Sequence, residues 1–169
     1  MTLDQTVAKA PSFQAENRAL QTLSHACEDD FLRPYAPIAS LWSSFPGKMP
    51  IRQSIGFRAL KGWHDRLIIS DLAPDGNISF RLVGNEAGHI FGGLVQPGGR
   101  FADLPNTLFN QFPRYFSAIA TGGCYGACTG VVPFQSREFL PIRVLDLPAL
   151  DQKGNIAFLF SFFLSGKDA

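Results

Sequence analysis

Between residues 66 and 92 the spacing of apolar and polar positions changes period twice. Arg66 to Leu72 is dense in long aliphatic and β-branched residues, the composition of a half-buried strand. Pro74-Asp75-Gly76-Asn77 interrupts it with turn chemistry, because Pro fixes φ while Gly and Asn tolerate positive φ. The next run alternates, with Ile78, Phe80 and Leu82 on one side and Ser79, Arg81 and Val83 on the other, which predicts a second strand. From Asn85 the period becomes helical. Asn85 suits an N-cap, Glu86 suits the positive end of the helix dipole, and Ala87, Ile90 and Phe91 share a face before Gly92-Gly93 ends the turn. This is a hairpin running directly into a short helix.

The same reading extends outward. Residues up to about Gln14 are polar, and from Ala15 to Leu32 the residues Ala19, Leu20, Leu23, Cys27 and Phe31 recur at helical spacing, predicting an amphipathic helix whose stripe must dock within the chain or on a second copy. Glu28-Asp29-Asp30 near its end opposes the helix dipole and reads as a solvated acidic face. Pro34 and Pro37 stop that helix, Trp42 anchors the following segment, and Phe57, Leu60 and Trp63 suggest a helical turn. After the Gly-rich loop at Gly93–Gly99, Leu108, Phe109, Phe112, Phe116 and Ile119 fall on one side of a helix reaching Ala120, with a kink or break expected at Pro113. Three strands follow, at Cys124–Val132, Glu138–Leu147 and Ile156–Leu164, joined by turns at Gln135-Ser136-Arg137 and Asp151–Asn155. The last, IAFLFSFFL, is apolar almost throughout, so it is expected to be buried on both faces. Helix, two strands, helices, three strands predicts an α+β fold: a five-stranded antiparallel sheet with helices inserted after strand 2, plus an N-terminal helix. The division is 1–37 for tail and amphipathic helix and 38–169 for the domain.

Bulk properties narrow the picture. The chain has 169 residues, is 46% hydrophobic and carries a formal charge of +1, so it has material for one core and no field to recruit nucleic acid. Phe is abundant at 16 residues, which fits either a large-side-chain core or the walls of an apolar cavity. The three cysteines, Cys27, Cys124 and Cys128, and the absence of an apolar core segment in the first 15 residues give the expectation of a reduced, cytoplasmic protein. Ile156–Leu164 is far short of the about 20 residues a membrane helix needs, so no membrane partner is expected.

Leu41-Trp42, the run Gly47 to Arg52, Phe57, Leu60, Trp63, Asp71 and Ser79 to Asn85 resemble, in order and spacing, a bacterial family of stand-alone PAS-domain proteins. The resemblance covers Ile38 to Leu164. It implies a PAS-like sheet with strand order 2-1-5-4-3, a sensory or regulatory role, and no catalytic residues. With no output segment expected after the domain, signalling would pass to a protein partner or through a change in a homodimer.

Dedicated chemistry is sparse. His25, His64 and His89 share no metal-ligand spacing, and Cys124 and Cys128 lie about 13 Å apart along a strand, which reads as a small-residue packing face. No phosphate loop, nucleophile elbow or zinc motif is present. The haem-type histidine is missing from Leu104–Ala120 and the flavin-type cysteine from Asn85–Phe91, so no cofactor is expected. The candidate ligand site is a cleft between the sheet and the helices, with Phe80 and Leu82 as floor, Phe91, Phe112 and Phe116 as walls, and His89, Tyr115 and Tyr125 as polar contacts. Three functions stay open: a sensor of a small, largely apolar ligand; a protein-interaction module with a filled core; and a small enzyme on an apolar substrate, with His89 or Asp103 as base.

Overall fold

The computed structural model describes residues 13–104, 112–134 and 137–169, with backbone alone for 132–134 and 137–139. The strands are β1 (Phe13–Ala19), β2 (Leu67–Leu72), β3 (Ile78–Val83), β4 (Cys124–Phe134), β5 (Arg137–Leu150) and β6 (Ile156–Ser165). They form one antiparallel sheet in the order β1-β4-β5-β6-β2-β3. Strands β2 to β6 therefore stand in the expected order, with β2 against β6. The expected count of five is corrected to six by β1.

The correction falls on the amphipathic segment. Phe13–Ala19 pairs with β4 in continuous register from Phe13 opposite Gly130 to Ala19 opposite Cys124. The helix expected from Ala15 is confined to a 3-10 segment, Leu20–Glu28. Leu20, Leu23 and Ala26 are buried there at three-residue spacing, the period of a 3-10 turn, whereas Cys27 is exposed. Pairing with β4 satisfies a row of backbone groups that would otherwise form a bare edge, and this outweighs weak local helix preference. Asp29 also differs from expectation: its Oδ1 accepts the backbone N–H groups of Phe31 (2.8 Å) and Leu32 (3.1 Å), and Arg18 pairs with its carboxylate at 3.2 Å.

Among the described residues the α-helices are α1 (Ala36–Ser43), α2 (Asn85–Ile90) and α3 (Phe112–Gly122). Pro113 is the second described residue of α3, and the stretch just before Phe112, where the expected kink or break would show, lies outside the described residues. The expected helix start at Pro105, with Leu108 and Phe109, and the turn residues Gln135 and Ser136 lie outside the described residues.

The sheet is covered on both faces. On one, α2, α3 and residues 91–104 pack on Ile68, Phe80, Val144, Leu159 and Phe163. On the other, Leu23, Leu32, Tyr35, Trp42 and Trp63, all before β2, pack on Leu145, Leu147, Phe160 and Phe162. The indole of Trp42 is fully buried, meets Phe160 and Phe162 edge-on at 5.3 and 5.7 Å, and donates to the Pro148 carbonyl at 2.9 Å. Strand β6 feeds both cores, and Leu159 through Leu164 are all buried, as its apolar run predicts.

Candidate functional site

The site is built on the α3 face of the sheet. Strand alternation aims Ile68 and Ser70 of β2, Phe80 of β3, Cys128 of β4, Ile142, Val144 and Asp146 of β5, and Ser161 and Phe163 of β6 to this face. Phe91, Phe112 and Phe116 close over them. The result is a cavity of about 60 Å³. Among the described residues its lining is hydrocarbon and aromatic except for Ser70, Cys128, Asp146 and Ser161.

Close approach of α3 depends on β4. Gly126 lies beneath Tyr115, and a Cβ on Gly126 would meet the Tyr115 hydroxyl at 2.0 Å. Gly76, in the β2–β3 turn at φ +88°, has the backbone of Pro113 and Ser117 against it in the same way. Only the missing side chains let the first turns of α3 settle this low on the sheet.

That settling brings Tyr115 beside the cavity and onto Asp146. Its hydroxyl donates to Asp146 Oδ2 at 2.6 Å, and Ser161 Oγ donates to Asp146 Oδ1 across the β5–β6 register that sets Asp146 opposite Ser161. Asp146 is 4% exposed, Tyr115 5% and Ser161 7%, so the trio is sealed from bulk water. Burial pushes the Asp146 carboxyl up from 3.8 to about 6, against the two hydroxyl donors that hold it down. Burial, and then the neighbouring carboxylate, push the Tyr115 hydroxyl up, and burial raises the Cys128 thiol. A buried carboxyl with a displaced pKa, lining an apolar cavity, is the arrangement expected of a recognition or proton-transfer group. Among the described residues Asp146 has no cationic partner.

The structure separates the sequence-predicted residues. Phe80, Phe91, Phe112 and Phe116 line the cavity, and Tyr115 stands beside it. Leu82 does not: it is 44% exposed. The β2–β3 register slips between Ile69–Leu82 and Ser70–Phe80, a bulge that places one extra residue in β3. The bulge reverses the alternation, so Val83 packs against the core in place of Leu82. His89 is exposed on α2, beside a surface hollow bordered by Asp65, Glu86 and Leu140. Tyr125 faces the opposite core, where its hydroxyl lies 2.7 Å from Thr22 Oγ. The small face of β4 (Cys124, Gly126, Cys128) is the one that α3 needs, which sends Tyr125 through to the other side. Asp103 is exposed and pairs with Arg100 at 3.2 Å.

Asp146 and Ser161 escape a reading that looks for motifs. The available signal is a lone polar residue at an inward position of a strand that otherwise reads as buried: the Asp in RVLDLPAL and the Ser in FLFSFFL.

Among the described residues no three His, Cys, Asp or Glu side chains converge in a way that could hold a metal ion, and no helix is long and apolar enough to cross a membrane. Compared with family models, curated proteins and solved structures, the chain matches none. The PAS-type resemblance therefore rests on the sequence features that suggest it.

Proposed function

We propose that this domain is a stand-alone PAS-type sensory module. It binds a small, largely apolar ligand between the sheet and α3 and passes the event to a protein partner or to a change in self-association. The observation that carries this reading is the aromatic-walled cavity with a buried, hydrogen-bonded carboxyl at its floor, since small-molecule sites are concave, mostly apolar and carry a few polar groups that fix orientation. Drug-sized ligands occupy about 300–1,000 Å³, so at about 60 Å³ the cavity suits only a very small molecule unless α3 moves.

The test is native mass spectrometry of freshly purified protein, paired with Val144→Phe. Val144 lines the cavity. Filling real space should cost under about 1 kcal/mol and abolish uptake of a co-purified or added apolar molecule, whereas overpacking a filled core costs about 1–3 kcal/mol. A large destabilisation, with no adduct on the wild-type protein, would favour a pure interaction module. A second reading, acid–base catalysis on a small apolar substrate, draws on Asp146, whose carboxyl titrates near neutrality at about 6. It requires turnover that Asp146→Asn abolishes.

A further inference from the structure

Asp146 presents more acceptor capacity than the protein uses. An ionised carboxylate offers about four acceptor positions. Tyr115 and Ser161 occupy one on each oxygen, and the side chain borders the cavity. No Lys, Arg or His lines that cavity among the described residues. The nearby titratable groups are Tyr115 from α3 and Cys128 from β4, both kept protonated by burial, and Tyr35 on the far side of the sheet, likewise raised by burial. Ser70 and Ser161, from β2 and β6, add hydroxyls and no charge. Arg143, the adjacent cation on β5, points to the other face, where its guanidinium donates to the carbonyls of Asp30 and Phe31. A carboxylate buried in an apolar site with only hydroxyl donors is poorly compensated, and a cation placed against it in a low dielectric interacts far more strongly than in water.

We propose that the cavity selects a small organic cation: a basic heterocycle or compact amine whose protonated nitrogen seats on the Asp146 carboxylate and whose hydrocarbon lies against Phe80, Phe112 and Phe116. This rests on the ligand-binding reading above and names the chemistry of the ligand. The two hydroxyls hold the carboxylate in a fixed orientation, so the free lone pairs form a preset acceptor. The aromatic walls add cation–π attraction to the same ligand. Size sets a second limit. A cavity of about 150 Å³ holds benzene and about 10–15 Å³ holds one water, so a cavity of about 60 Å³ admits roughly two to five non-hydrogen atoms with little rearrangement.

The probes are imidazole and thiophene, five-membered rings of similar size, of which only imidazole takes a proton near neutral pH, in the histidine range. Binding to the intact chain is followed by NMR shift perturbation of cavity residues near pH 6.5. The wild-type protein should bind imidazole about tenfold or more tightly than thiophene, a difference of about 1.4 kcal/mol. Asp146→Asn should lose that preference while still taking up thiophene. Equal binding of both probes in both proteins would keep the cavity as a ligand site and overturn cation selection. Binding of neither would overturn the ligand reading and this inference with it. Should Asp146→Asn fail to fold, the Asp146 carboxyl carbon shift in the wild-type protein gives the answer. Saturating imidazole should hold the carboxyl ionised to lower pH, and a titration curve unmoved by imidazole would overturn the proposal.

Discussion

At the scale of single residues, Asp146 couples stability to pH in the direction opposite to most carboxylates. Its carboxyl rises from 3.8 to about 6 on folding because burial disfavours the charge. Between those values the folded chain holds a proton that the unfolded chain has released. The contribution of this group is therefore fully present below about pH 4 and is lost as pH rises toward about 6, by up to about 3 kcal/mol as an order of magnitude. Carboxylates elsewhere contribute slopes of their own, so the useful quantity is the difference between the wild-type protein and Asp146→Asn, which lacks the group. Chemical denaturation of both at several pH values should show the wild-type protein losing ground to the variant across that window. Parallel curves would mean that the carboxyl is not desolvated as its burial implies.

At the scale of elements, the bulge in β3 decides which side chains reach the cavity. Without it, Leu82 would join Ile78 and Phe80 on the inner face; with it, Leu82 faces solvent and Val83 turns in. Two truncations read this out. Phe80→Ala removes a side chain that is 6% exposed and should cost about 3–5 kcal/mol. Leu82→Ser changes a position that is 44% exposed and should stay within about 0.5 kcal/mol. Urea melts distinguish the two, and comparable losses would place Leu82 in the core and remove the bulge. The 3-10 segment Leu20–Glu28 belongs to the same scale. Its buried residues are spent on the second core, so the apolar stripe that raised the prospect of a dimer is satisfied inside the chain.

At the scale of the whole molecule, the sheet has a core on each face, and the residues before Ile38 serve both. Strand β1 covers the edge of β4 and supplies Phe13 to the α3 side, while Leu23, Leu32 and Tyr35 supply the other. A chain starting at Ile38 should therefore lose cooperative unfolding and associate through the bared β4 edge, because several large buried side chains at about 2–5 kcal/mol each exceed the about 5–15 kcal/mol that holds a domain together. Thermal circular dichroism with light scattering tests this. A folded monomer from that start would show that the N-terminal segment only decorates the domain.

The sequence by itself determined the α+β class, the existence of the last five strands, the two-sided burial of β6 and four of the aromatic residues around the cavity. These follow from period and composition, which act locally and survive any tertiary arrangement. Only the tertiary structure decided that Phe13–Ala19 is a strand, since the free edge of β4 outweighs a helical stripe. It alone turned Leu82 outward, because a bulge moves one residue without leaving a compositional mark. It sent Tyr125 to the second core because α3 needs the glycine and cysteine face of β4. And it gathered Tyr115, Asp146 and Ser161, from one helix and two strands, around a single carboxyl, because hydrogen bonding between residues far apart in the chain is set by sheet register and helix seating, which no local period encodes.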